Sequence, residues 1–252
     1  MKKSVPWLAG GAYILAVHAV LLILCYKTDA MAIIDKNLGF APARPELNSF
    51  HQSMVDYQSR LDDTLMPGAV LFIGASHMQS LDVSSIAERA VNYGIGGDTI
   101  ADVMERLPVY RSLRTARAVV LEVGYNDLRF HSVPRVESDY QSLLAALPAY
   151  LPVVVSAVLP IDETAPAFLR WPGRNNDNIA RLNKALARFC SARPPCAFAD
   201  AGPQLRDRAG RLAAIYRQAD GVHLSPAGYR FWSMALADAL ARLSPANLAA
   251  AH

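Results

Sequence analysis

Short apolar runs alternate with helical patterns along most of this chain. Val70-Leu71-Phe72-Ile73 is continuous and apolar and stops at Gly74. Ala90-Val91-Asn92-Tyr93 is a second run, ending in a glycine-rich turn. Residues 118–123 and 153–158 read as a third and a fourth, and Ala197-Phe198-Ala199 as a weaker fifth. Strands that are apolar throughout, rather than at every second position, indicate a parallel sheet covered on both faces. The helical stretches between them supply the crossovers that parallel neighbours need. Residues 48–63 predict a helix that turns at Pro67-Gly68 into the first strand. The last helix is marked by Ser225 as N-cap and Pro226 at the first helical position. Its Trp232, Leu236, Leu240 and Leu243 recur at helical spacing and form a core-facing stripe that needs no cofactor to explain it. Ligands of open sheets bind beyond the carboxyl ends of the strands, so the residues after each strand are where chemistry is expected.

The N-terminus departs from this pattern. Lys2 and Lys3 precede an uncharged run from Val5 to Tyr26. As a helix rising about 1.5 Å per residue, that run spans roughly 33 Å, enough for a hydrocarbon core of about 30 Å. Trp7 and Tyr26 flank it, where amphipathic rings favour the water interface. It exceeds the roughly 7–15 apolar residues of a signal peptide, which favours an uncleaved anchor. Removal at Ala30-Met31-Ala32, giving a secreted form, is the competing reading. In both, the lysines hold the start in the cytoplasm and put residues 27–252 on the far side, periplasmic or extracellular. The expected organisation is an anchor or signal segment over 1–26, a linker over 27–47 with Pro42 and Pro45, and one domain over 48–252.

Composition bounds the function. About half of the residues are hydrophobic (52%), which is ample for a filled core and argues against disorder. A net charge of +3 on 252 residues, with basic residues spaced along solvated surfaces, gives no clustered face for nucleic acid. Cys25 lies in the apolar run, leaving Cys190 and Cys196 in the domain as either a disulfide of an oxidising compartment or two unpaired small hydrophobes. No His-Glu-x-x-His or paired-cysteine pattern suggests a metal, and no cofactor is implied.

Four clusters fall at the expected edge. Gly74-Ala75-Ser76-His77 follows the first strand, Asn92 through Thr99 closes the second, and Gly124-Tyr125-Asn126-Asp127 follows the third. Asp220-Gly221-Val222-His223 precedes the last helix. Each has an ordinary reading: an N-cap, a turn, a turn pair, a loop salt bridge. Together, in order, they supply what acyl transfer requires. A serine hydroxyl needs a base to take its proton, and the base needs a partner that fixes its tautomer. Ser76 is the candidate nucleophile, His223 the base and Asp220 its orienting acid. The backbone N–H groups of Gly97 and Ser76 and the side-chain amide of Asn126 are candidate donors to the developing oxyanion. The serine does not stand in Gly-x-Ser-x-Gly, so the α/β-hydrolase elbow is absent.

These clusters resemble the four blocks of the SGNH (GDSL-type) hydrolases, and residues 92–99 are most similar to the platelet-activating-factor acetylhydrolase-like branch. The resemblance spans Asn48 to Leu243. It implies a three-layer, flavodoxin-like α/β fold with sheet order 2-1-3-4-5 and a shallow, open site. It maps the nucleophile onto Ser76, oxyanion donors onto Gly97 and Asn126, and the acid–base pair onto Asp220 and His223. One position departs: Ala75 stands where the family's first block carries aspartate, which removes a polar support beside the nucleophile. His77 next to it reads either as a substrate contact or as a packing histidine. Arg170, Trp171 and Arg174 in the connector after the fourth strand read either as substrate contacts or as an exposed loop.

The expected function is hydrolysis of an ester, an acetyl ester included, on a small molecule or a glycan. An envelope polysaccharide O-acyltransferase or deacetylase would use the same residues, and a non-catalytic envelope module would keep the fold alone.

Overall fold

The computed structural model describes residues 13–15, 17–21, 49–165 and 173–243. The chain divides into Met1–Gln52 and Ser53–His252, and the sheet lies in the second unit. Its elements are α1 (Ser49–Asp62), β1 (Val70–Gly74), α2 (Ser76–Gln79), β2 (Ala90–Gly94), α3 (Ile100–Arg106), β3 (Ala118–Glu122), α4 (Val133–Ala146), β4 (Val153–Ser156), α5 (Asn176–Ser191), β5 (Cys196–Ala199), α6 (Gly202–Leu205) and α7 (Pro226–Arg242). The five strands are all parallel, in the order β2-β1-β3-β4-β5.

The apolar continuity of the strands has a direct cause. Successive side chains point to opposite faces, so every residue of a central strand enters one of two cores. Leu71, Ile73, Val119, Leu121, Val153 and Val155 meet α3, α4 and α5 on one face. Val70, Phe72, Ala118, Val120 and Val154 meet Met78 of α2 and Trp232, Leu236 and Ala239 of α7 on the other. β4 stops at Ser156, short of the apolar run, because the Asn183 side chain of α5 takes both Val158 backbone groups: Oδ1 accepts from Val158 N–H and Nδ2 donates to its carbonyl. On α7 the stripe runs through Ala239, and Leu240 is half-buried at its flank.

Helix starts follow local rules. Thr99 and Asp102 form a reciprocal capping box at α3, and the Ser225 hydroxyl accepts from Gly228 N–H at α7 with Pro226 behind it. Of the two readings of the cysteines, the paired one holds: Cys190 and Cys196 form a disulfide joining the end of α5 to the start of β5.

The expected membrane run, Val5 to Tyr26, lies largely outside the described residues, as do the linker over 27–47 and the residues Arg170 and Trp171. Residues 13–15 and 17–21 are helical. Among the described residues no helix is long and apolar enough to cross a membrane.

Candidate active site

The sheet order reverses at β1, with β2 on one side and β3 on the other, and the segments leaving these three strands meet there. Ser76 is the first residue of α2, directly after β1, so its N–H has no intrahelical acceptor. β2 comes unusually close to this helix. A Cβ on Gly94 would stand 2.2 Å from Gln79 N, so only glycine fits. Asn92 fastens the two together: its Nδ2 donates to Met78 O (2.7 Å) and Leu81 O (3.0 Å), and its Oδ1 accepts from Gly94 N–H. Gln79 Oε1 then accepts from Gly96 N–H at 2.5 Å.

Gly97 follows with φ +90°, which an L side chain rarely adopts, and its N–H has no hydrogen-bond partner among the described residues. A buried ion pair lies beneath this turn. Arg106 Nε donates to Asp98 Oδ2 at 2.8 Å, with both side chains about 1% exposed. The same guanidinium reaches Gly74 O (3.2 Å) and Tyr110 Oη (2.6 Å), tying the end of β1 to the turn.

After β3, Asn126 is held by two contacts that fix which way its amide faces. Arg174 Nη2 donates to Oδ1 (3.0 Å), and Nδ2 donates to Asp98 O (3.0 Å). One Nδ2 proton remains after that bond. The Arg174 guanidinium lies 4.7 Å from the centre of the Tyr125 ring. Asp127 turns inward and accepts from Ile100 N–H at the start of α3. Burial pushes its carboxyl up to about 7, against the pull of those hydrogen bonds.

The fourth segment brings the imidazole. His223 Nε2 lies 2.9 Å from Ser76 Oγ, and Nδ1 lies 2.5 Å from Asp220 Oδ2. An ionised carboxylate only accepts, so Nδ1 carries the proton and Nε2 presents its lone pair to the serine hydroxyl. Asp220 Oδ1 also accepts from the N–H groups of Val222 (2.9 Å) and His223 (3.0 Å). Burial alone would raise the Asp220 carboxyl. The hydrogen bonds from the His223 ring and those two N–H groups outweigh it and hold it below the usual range. The pair is open to solvent, His223 being 37% and Asp220 42% exposed.

All five residues singled out from the sequence, Ser76, Gly97, Asn126, Asp220 and His223, therefore lie on segments that meet at one sheet edge. Ser76, His223 and Asp220 form one hydrogen-bonded line. His77 is buried (4% exposed) rather than presented to the cleft. Sequence reasoning missed Glu122, buried at the end of β3 behind His77, and the clamping roles of Asn92, Gln79 and Arg106. A lone acid inside the run Ala118–Val123 was the available signal for Glu122.

A flavodoxin-like parallel sheet with a serine, an imidazole and a carboxylate in line at its switch point defines the SGNH class of hydrolases. The chain belongs to the GDSL-like lipase/acylhydrolase family, whose family model matches residues 77–231, more than half of it. It is accordingly a serine hydrolase of the GDSL type acting on ester bonds.

Among solved structures, a Streptococcus pneumonia protein named for platelet activating factor is similar with a TM-score of 0.70 and 23% identity, over 84% of this chain and 99% of that one. The C-terminal catalytic domain of Streptococcus pneumoniae peptidoglycan O-acetyltransferase A is similar with a TM-score of 0.55 and 15% identity, over 71% of this chain and 95% of that one. At these identities the likeness is one of fold. A Streptococcus agalactiae N-acylneuraminate cytidylyltransferase is 31% identical over 115 residues, 44% of this chain, which spans only a quarter (25%) of that protein.

Proposed function

We propose that this protein is a membrane-anchored esterase that cleaves an ester, an acetyl ester included, through an acyl-enzyme formed on Ser76. The observation that carries the reading is the line Asp220–His223–Ser76, closed between residues 147 positions apart. Ser76 Oγ attacks the ester carbonyl while its proton passes to His223 Nε2. Asp220 stabilises the imidazolium through Nδ1–H. The carbonyl oxygen, now negative, takes hydrogen bonds from Gly97 N–H, Ser76 N–H and Asn126 Nδ2. As the carbonyl re-forms, the bond to the alkoxy oxygen breaks and His223 returns the proton to the departing alcohol. Water then repeats the sequence on the acyl-serine, releasing the acid and the free enzyme. A fluorophosphonate probe should label the wild type at Ser76, and Ser76→Ala should lose both labelling and turnover of chromogenic short-chain esters. Full activity in Ser76→Ala would overturn the assignment, and an unlabelled, inactive wild type would favour a module that keeps only the fold.

Acyl transfer to a second alcohol is the alternative chemistry of the same site. The exposure of His223 and Asp220 favours it, since an alcohol bulkier than water can reach the acyl-enzyme. The fold likeness to the peptidoglycan O-acetyltransferase domain accords with it. With a competing sugar present, acylated sugar marks a transferase and free acid alone marks a hydrolase. Placement outside the cytoplasm draws on Lys2, Lys3 and the run over 5–26, and the Cys190–Cys196 bond suits an oxidising compartment. Retention in the membrane fraction after an alkaline carbonate wash is the expected result, and release of full-length chain would remove the anchor from the reading.

A further inference from the structure

His77 follows the candidate nucleophile, yet its ring turns away from the cleft and under the loop that carries the base. Nε2 lies 3.0 Å from Val222 O, the carbonyl one residue before His223. A carbonyl only accepts, so Nε2 bears the proton and donates it. On the opposite side Nδ1 faces Glu122 Oε1 at 3.8 Å. The His223 ring stands 5.4 Å away, and the Trp232 ring meets His77 edge-on at 6.3 Å. Tyr229 Oη donates to the His77 carbonyl (3.2 Å). The titratable groups around the ring are thus Glu122 from β3, His223 and Asp220 from the loop, and Tyr229 from α7.

We propose that His77 and Glu122 form a buried positioning pair that holds the loop carrying His223 in register with Ser76. An apolar side chain of similar volume would fill this space without taking an imidazole and a carboxyl out of water, which is costly. What the polar pair adds is the directed hydrogen bond to Val222 O. Glu122 closes the far side of the ring, and its Oε2 has no hydrogen-bond partner among the described residues. Burial pulls the His77 imidazole down to about 4 and pushes the Glu122 carboxyl up to about 7. Between those values the contact joins two neutral groups, so the tether does not depend on charge. Neither residue touches the reacting atoms. Both act through the position of His223.

The kinetic half of the test rests on the esterase reading, and the other half does not. His77→Leu removes the donor at similar volume, while His77→Gln keeps an amide N–H near the place of Nε2. His77→Leu should lower kcat per fluorophosphonate-titrated site about 10- to 100-fold with KM within about threefold, the cost of a misplaced base. Amide exchange over residues 217–224 should speed up in the same variant, and His77→Gln should restore most of both. A purely structural role would lower Tm alike in the two variants and leave kcat per site and local exchange unmoved, which would overturn the proposal. If the wild type neither turns over nor labels, the esterase reading falls, and the exchange comparison alone decides the tether. Should His77→Leu fail to accumulate, His77→Asn, whose amide is too short to reach Val222 O, takes its place with the same expected outcomes.

Discussion

The proposed oxyanion side of the site, residues 94–99 with Asn126, is pinned from beneath by a buried ion pair, whereas the proposed base pair, Asp220 and His223, lies on a solvent-open loop. Asp98 and Arg106 are each about 98% buried, and Arg106 also donates to Gly74 O and Tyr110 Oη. The Asp220 and His223 side chains bond to each other and to backbone within residues 220–223, while the carbonyls of Gly221, Val222 and His223 are taken by Asp162, His77 and Gln218. Burial is greatest beneath the groups proposed to meet the developing charge, and exposure is left where the acceptor alcohol or water would approach. Disturbing the two sides should therefore have opposite signatures. His223→Ala should lower kcat by on the order of 10⁴ to 10⁶, while stability moves by less than about 1 kcal/mol. Equilibrium unfolding beside single-turnover kinetics checks both. Arg106→Met should reverse the pattern, costing about 3–5 kcal/mol by leaving Asp98 charged without its partner. An Arg106→Met protein as stable as the wild type would mean that water already reaches this pair.

Asn126 sharpens the contrast because it belongs to the proposed oxyanion side and would itself donate to the substrate. Asn126→Ala should reduce kcat about 10²- to 10³-fold, the usual loss of one oxyanion donor, with little change in KM. A loss of less than about fivefold would assign the oxyanion to the backbone groups of Gly97 and Ser76 alone.

The parts of this molecule that were legible in the sequence are those whose cause is local. Residues 70–73 and 118–121 read as buried parallel strands because every position is apolar, and both faces are indeed covered. Ser76, Gly97 and Asn126 stood out because each follows a strand, and Asp220 and His223 because they precede a capped helix. What was not legible depends on partners distant in the chain. β4 ends early because Asn183, 25 positions on, takes the Val158 backbone. Arg106 carries no local sign of burial, and its pairing with Asp98 emerges only in the fold. Glu122 reads as an interruption in an apolar strand until the ring of His77 is found against it. Cys190 and Cys196 could be read either way from spacing, since pairing depends on how near the fold brings their Cα atoms, which is 5.3 Å here.

The smallest expected effect lies on the base side and is read through pH. The Glu122 carboxyl ordinarily titrates at 4.5 and in the fold near 7, because burial penalises its charge. Between those values the native state holds a proton that the unfolded chain has released, so stability falls as pH rises from about 4.5 to 7 and then levels. Glu122→Gln has no proton to lose. Its stability advantage over the wild type, read by equilibrium unfolding, should therefore widen across that window and stay constant above it, by about 1–3 kcal/mol in all. His77 works from the other end. Its imidazole, drawn down from 6.5 to about 4, favours the folded state above 6.5, and that stability is lost as pH falls toward 4. His77→Leu should flatten this acid limb, as Glu122→Gln flattens the neutral one. A gap between Glu122→Gln and the wild type that does not change from pH 4 to 8 would mean that the carboxyl is hydrated and that the base-carrying loop opens far enough to let water in behind His77.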